Sequence, residues 1–129
     1  MKLQSCLYLI LALVFFKPAF ADEKERIGEQ TYKAVCAVCH AAGVANAPKL
    51  GDKNVWKPLI DEGQVILTAH GYVGVRAMPP KGGKPDLSVE QFAEALKYMV
   101  NNSGGQWSTP DKAMLEKINE EITRRKKSQ

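Results

Sequence analysis

The chain has 129 residues, 45% of them hydrophobic and 25% charged, a balance that excludes a disordered or fibrous protein and fits one small domain. Its net charge of +4 comes from the two ends, because residues 22–109 carry ten basic and ten acidic side chains. The central part therefore has no basic excess for binding phosphates, and no nucleic-acid partner is expected.

The first 21 residues have the layout of a secretory signal peptide. Lys2 gives a basic start, Leu7 to Phe16 is an unbroken apolar run of ten residues, and Ala19-Phe20-Ala21 fits the small-x-small pattern of a cleavage site. A membrane-spanning helix would need about 20 apolar residues, so the run is too short to cross a bilayer. We predict cleavage after Ala21, export to the periplasm, and loss of Cys6 with the leader.

Hydrophobic periodicity predicts helices over most of the remaining chain. Glu23 to Val38 has apolar side chains at helical spacing, and Ala41 to Gly51 is a predicted loop. Asp52 to Tyr72 is predicted to hold two short helices, divided near Pro58 to Gly63. Gly74 to Pro85 contains three Gly and three Pro and is predicted to be irregular. No strand or internal repeat is predicted.

Two further helices are predicted in the C-terminal part. The first spans Ser88 to Asn101 and starts at a capping box formed by Ser88 and Gln91. The second spans about 109–127, with Ser108 or Thr109 as its cap and Pro110 in its first turn. It has a basic C-terminal end, and four residues form an apolar stripe along it: Met114, Leu115, Ile118 and Ile122. The stripe must cover the chain's own surface, a second protein or copy, or an anionic membrane surface.

One cysteine pair remains after the leader, in the sequence Cys36-Ala37-Val38-Cys39-His40. Two thiols at this spacing can add to the two vinyl groups of one haem, and the adjacent imidazole is then held against the iron. A thioredoxin-like pair would need a βαβ setting, and a zinc site would need further close ligands. One covalent haem c is therefore expected, with Cys36 and Cys39 as thioether residues and His40 as an iron ligand.

The sixth iron position has two candidate ligands. Met78 follows His40 by 38 residues and precedes two prolines, which stiffen the loop that presents the thioether. His70 would instead give a bis-histidine haem of lower potential. Met99 and Met114 lie on helical stripes, where core packing explains them better. Met78 is the predicted ligand, and His70 is the alternative.

Three segments together resemble the class I c-type cytochromes, and within them the cytochrome c-five family. The segments are Cys36 to His40, then Asn46-Ala47-Pro48-Lys49-Leu50-Gly51-Asp52 with Trp56, and then Ala77-Met78-Pro79-Pro80-Lys81-Gly82-Gly83. The resemblance spans about residues 26–102. It implies an all-α fold wrapped round one haem, of which only an edge is exposed.

The resemblance also implies roles for residues near the haem. The backbone carbonyl of Pro48 is expected to accept a hydrogen bond from His40, which makes the imidazole a stronger donor to iron. Trp56 is either a donor to a haem propionate or a core aromatic. For Tyr72 we favour core packing.

A crossing of the first and last helices of the haem domain is implied as well. Gly28 and Tyr32 are expected at this crossing, with Leu96 and Tyr98 as partners.

Two features depart from the family. Residues 83–87 lack the cysteine pair that often follows the methionine loop, and the final helix is extra. The expected division is therefore a signal peptide at 1–21, a c-type haem domain at 22–105 and a C-terminal amphipathic helix at 106–129.

The resemblance implies a periplasmic electron carrier rather than an enzyme, which passes electrons to other redox proteins at the exposed haem edge. One alternative is a haem subunit docked on a larger oxidoreductase, and another is a small peroxidase or gas-binding protein with a labile sixth ligand. Membrane contact is at most peripheral. Five lysines lie in the loops expected around the haem edge: Lys49, Lys53, Lys57, Lys81 and Lys84. They either form a basic rim that steers an acidic partner or are ordinary solvent-exposed charges.

Overall fold

The computed structural model describes residues 19–129, so most of the predicted signal peptide, including Cys6, lies outside the described residues. The described part is helical, and its one β feature is an isolated bridge between Val75 and Met78. This confirms the all-α class. None of the helices in this part is both long and apolar enough to span a membrane.

The helix that leads to the haem motif is longer than predicted and changes its winding on the way. Helix α1 spans Ala19–Thr31, a π-helical segment follows at Tyr32–Cys36, and α2 spans Ala37–His40. A π-helical turn holds more residues than an α-helical turn, and such segments are common at functional sites. Here the segment ends at Cys36, the first cysteine of the pair.

Two short helices follow the loop, and they are divided within the predicted stretch from Pro58 to Gly63. Helix α3 spans Lys53–Asp61 and is capped by Asp52, whose Oδ1 accepts from the Val55 N–H at 3.3 Å. Helix α4 spans Gln64–Val73. The division lies at Gly63, whose φ of 89° cannot continue a helix, whereas Pro58 is accommodated inside α3. The following segment is irregular, and its turn at Pro80–Gly83 contains Lys81 and Gly82 in the left-handed region, with φ of 56° and 65°.

Helix α5, at Val89–Asn101, begins at the predicted capping box. Ser88 Oγ accepts from the Gln91 N–H, and the Gln91 side chain accepts from the Ser88 N–H, each at 3.1 Å.

The predicted cap of the last helix is wrong. Helix α6 spans Lys112–Lys127, and its cap is Asp111, whose Oδ1 accepts from the Met114 N–H at 2.8 Å. The two residues predicted as caps are engaged elsewhere. Thr109 Oγ1 accepts from Lys97 Nζ at 2.8 Å, and the Ser108 carbonyl accepts from Gln64 at 3.0 Å.

Helices α1 and α5 pack closely where Gly28 meets the backbone of Glu94. A Cβ placed on Gly28 would lie 2.5 Å from the Glu94 carbonyl oxygen. One turn on, the rings of Tyr32 and Tyr98 lie 5.2 Å apart between centroids. The implied crossing is present, with Tyr98 as a partner, but Glu94 is the residue that faces Gly28, while Leu96 is buried in the core.

Gly28→Ala is expected to destabilise the protein, although alanine is the better helix former by about 1 kcal/mol. The added Cβ meets backbone, which cannot move unless the helices separate, and such overpacking costs about 1–3 kcal/mol. Thermal unfolding should therefore show a lower Tm. Gln30→Ala, on the exposed side of the same helix, is the control and should leave Tm within a degree or two. An unchanged or raised Tm in Gly28→Ala would contradict the close crossing.

Helix α6 packs against α4 through the predicted apolar stripe. Ile118 and Ile122 are buried, and Met114 and Leu115 are partly buried against the same core. Of the three surfaces that this stripe was expected to cover, it covers the chain's own surface in the structure.

Removal of α6 by truncation after Gly105 is expected to lower the thermal stability of the protein and leave its oligomeric state unchanged. Ile118→Ala tests the same contact with one side chain, and truncating a buried isoleucine costs about 2–5 kcal/mol. Denaturant unfolding and gel filtration measure the two properties. The control is Lys117→Ala, at an exposed position. Stability unaffected by both the truncation and Ile118→Ala would show that α6 is a solvated tail.

Candidate functional site

The imidazole of His40 is oriented by a backbone carbonyl. His40 is the last residue of α2 and is buried, and its Nδ1 lies 2.8 Å from the carbonyl oxygen of Pro48. A carbonyl oxygen can only accept, so Nδ1 carries the proton and Nε2 keeps a lone pair for a metal. The structure thus has the contact that the resemblance implied.

Both cysteines beside His40 are free thiols. Cys36 is buried at the end of the π-helical segment, and Cys39 is half-buried in α2. Burial raises the pKa of the Cys36 thiol to about 11, so this thiol is neutral at physiological pH.

Trp56 lies beside His40 and holds the loop that contains Pro48. It is 2% exposed, and its ring centroid is 6.2 Å from that of His40. Its Nε1–H donates to the Lys49 carbonyl at 2.9 Å. Because an indole has one N–H, Trp56 is a core aromatic in this structure and its donor is not aimed at a propionate.

Met78 is presented by a tight turn that follows α4. Val75 and Met78 exchange two backbone hydrogen bonds, at 2.9 and 3.1 Å, and the Met78 side chain is partly buried. Gly71 of α4 leaves room for it, since a Cβ there would lie 3.6 Å from Met78 Cε and 2.8 Å from a Phe92 ring carbon. Gly82, four residues after Met78, lies against Val35, which precedes Cys36.

A lysine closes the methionine loop where the family often has a cysteine pair. Lys81 Nζ donates to the Pro85 carbonyl at 2.7 Å and lies 5.0 Å from the ring centroid of Tyr72. Tyr72 is buried, and its hydroxyl donates to the Leu87 carbonyl at 3.1 Å. Tyr72 is thus a core aromatic, as we predicted. Lys81, which the sequence indicated only as a surface charge, also holds this loop.

His70 is engaged away from this loop. Its Nδ1 lies 2.8 Å from Glu62 Oε2, and its side chain is 30% exposed. The neighbouring residue Gly71 is the part of α4 that lies against Met78. Among the described residues, the structure brings His40 together with Pro48 and Trp56, and it leaves His70 on the surface.

The donor set fits haem c better than a bare metal ion. Two free thiols precede an imidazole whose Nε2 is available, and a separate loop offers a thioether. No cluster of three or more His, Cys, Asp or Glu side chains suited to a metal ion occurs in residues 19–129. Thioether formation would be the role of Cys36 and Cys39, and axial ligation that of His40 and Met78.

Comparison with known proteins gives consistent matches. The family described as cytochrome C oxidase, cbb3-type, subunit III matches residues 23–99. Cytochrome c-555 of Chlorobaculum thiosulfatiphilum is 45% identical over 80 residues, which are 59% of this chain and 93% of that protein. Cytochrome c5 of Azotobacter vinelandii is 38% identical over 76 residues, 57% of this chain and 92% of that protein.

A solved structure is also similar. It is a chain in the crystal structure of an electron transfer complex of nitrite reductase with cytochrome c, with 44% sequence identity and a TM-score of 0.58. The match covers 60% of this chain and 94% of that chain. The helical architecture described above is therefore that of a small cytochrome c.

Proposed function

The chain belongs to the class I c-type cytochromes and carries covalently bound haem c, and from this we propose that it is a periplasmic single-haem electron carrier whose iron is ligated by His40 and Met78. In this proposal Cys36 and Cys39 form the thioethers. The single observation that carries it is the hydrogen bond from His40 Nδ1 to the Pro48 carbonyl, because it leaves Nε2 as the free ligand atom of a histidine that follows directly on two free cysteines.

The choice of Met78 over His70 is supported by their surroundings. Met78 is partly buried in a tight turn that packs on α4, whereas His70 is paired with Glu62 at the surface. To become a ligand, His70 would have to leave this pair and rotate away from its side of α4. A thioether ligand also favours ferrous iron relative to a second imidazole, which raises the potential.

Bound haem supplies a one-electron couple between ferric and ferrous iron. The residues of the chain hold that couple in place. Pro48 keeps the proton on Nδ1 of His40 and so keeps the imidazole oriented, and the buried Trp56 packs beside the same ring. If His40 and Met78 both bind the iron, they would leave no open position for oxygen or peroxide. In this proposal the protein is therefore an electron carrier and not an enzyme.

Other redox proteins are the proposed partners, through short-lived contacts below about 1,200 Å². The similar cytochrome c that was solved in complex with nitrite reductase supports this class of partner. Of the five lysines of the candidate basic rim, Lys57 pairs with Asp61 and Lys84 with Asp86, which offsets part of the positive charge. A permanently docked haem subunit is not favoured, since the apolar stripe of α6 is already covered by α4.

Carbon monoxide tests whether the sixth position is filled. The optical spectrum of the reduced protein should not change when carbon monoxide is added at neutral pH, because the Met78 thioether occupies the site. A spectrum that shifts to that of a carbonyl complex would instead support the peroxidase or gas-binding alternative. Gel filtration of the same sample separates a free carrier from a subunit of a larger assembly.

A further inference from the structure

The loop that carries Pro48 is bound at three successive residues. The Lys49 carbonyl accepts from Trp56 at 2.9 Å, and the Leu50 N–H donates to the His40 carbonyl at 2.8 Å. The Gly51 N–H donates to Ser103 Oγ at 2.9 Å. Two of these contacts are local in the chain, but Ser103 comes from 52 residues away, just beyond the end of α5.

The position of Ser103 is fixed by its own contacts. It is 1% exposed, and its own N–H donates to the Val100 carbonyl at 2.9 Å. The Gly105 N–H donates to the same carbonyl at 2.9 Å, and Gly104, with a φ of 101°, packs against the side chain of Lys53. The hydroxyl is therefore held by the end of α5 and not by the loop that it binds.

We propose that Ser103 is a positioning residue for the proximal iron ligand. By binding Gly51, it ties the loop to α5 and holds the Pro48 carbonyl against His40 Nδ1. This inference rests on the proposed function, in which His40 Nε2 binds the haem iron. It adds a residue that acts through Gly51 and that lies outside the three segments of the resemblance.

The chemical consequence follows from the geometry of the His40 contact. A strong hydrogen bond from Nδ1–H to the Pro48 carbonyl gives the imidazole partial anionic character and so stabilises ferric iron. Hydrogen bonds weaken steeply with distance and misalignment. If the loop moves by a few tenths of an ångström, its hydrogen bond to His40 therefore weakens, and the imidazole becomes a weaker donor to the iron. Loss of the Ser103 contact should therefore raise the midpoint potential.

Ser103→Ala tests the proposal in the haem-loaded protein. Two readouts are needed: hydrogen exchange of His40 Nδ1–H by NMR in the reduced, diamagnetic state, and the midpoint potential. Because one hydrogen bond is lost, Nδ1–H exchange should accelerate roughly two- to tenfold, with an upward shift of the potential. Ser103→Thr, which keeps the hydroxyl, should restore both values toward wild type.

Ser88→Ala is the matched control. It removes the cap at the other end of α5 and so lowers stability without touching the Pro48 loop. Its Nδ1–H exchange and potential should match wild type, which separates positioning from general loss of stability. Wild-type exchange and potential in Ser103→Ala would overturn the positioning role, as would changes of the same size in Ser88→Ala. If the wild type shows no haem-shifted His40 Nδ1–H signal, the proposed function fails instead.

Discussion

Replacement of both Cys36 and Cys39 by alanine is expected to abolish the covalent holoprotein. These are the two cysteines that remain after the predicted cleavage, so no other thiol of the mature chain can form a thioether. Intact mass spectrometry measures the result directly. The wild type should have the mass of residues 22–129 plus one haem, and the double variant should show no haem adduct.

The predicted leader offers a matched control for this experiment. Cys6→Ala changes a cysteine that should leave with the signal peptide, so both the mass of the mature protein and its haem content should be unchanged. Acidified acetone should fail to extract haem from the wild type and from Cys6→Ala. Extractable haem in the wild type, or a haem adduct in the double variant, would contradict the thioether assignment.

Met78→Ala is expected to cause the largest functional change among single substitutions. Loss of the thioether should remove the weak red absorption band of sulfur-ligated ferric haem and should open the iron to carbon monoxide. The potential should fall by on the order of 0.1 V, within the range of about 0.8 V over which axial ligands set haem potentials. Absorption spectra and a redox titration of the purified protein measure these effects.

Two substitutions serve as controls for Met78→Ala. His70→Ala breaks only the surface pair with Glu62, and Met99→Leu keeps an apolar side chain in the core, so both should retain the red band. If the wild type lacks the band, and His70→Ala changes the ferric spectrum while Met78→Ala does not, the haem is bis-histidine ligated and the Met78 assignment is wrong.

The features predicted correctly from the sequence are those encoded by neighbouring residues. The capping box of Ser88 and Gln91 is a local pattern, and the structure has both of its hydrogen bonds. The pairing of His40 with Pro48, which the resemblance implied, also joins residues close in the chain. The cysteine pair, read as a haem motif, agrees with membership in the cytochrome c family.

Contacts between distant segments account for most of what was missed. Gly51 and Ser103 are 52 residues apart, so nothing in the local pattern of either residue indicates their hydrogen bond. Lys81 looked like surface charge because its partners, Pro85 and Tyr72, are brought to it only by the fold. For Trp56, the alternatives were a propionate donor and a core aromatic, and the hydrogen bond to the Lys49 carbonyl, which favours the second, depends on the course of that loop in the fold.

The division between α3 and α4 falls at Gly63, within the predicted stretch from Pro58 to Gly63, because a positive φ cannot continue a helix. The cap of α6 shows a second kind of error. At α6, Ser108, Thr109 and Asp111 are all good capping residues. The choice of Asp111 depends on tertiary contacts of the other two with α4 and α5.

An optical redox titration of the purified wild-type protein tests the central claim most directly, because it reports the number of electrons and the iron ligands together. A single-haem carrier ligated by His40 and Met78 predicts one Nernstian one-electron transition, with the red band present in the oxidised protein and lost on reduction. A titration with more than one transition, or an oxidised spectrum without the red band, would contradict it.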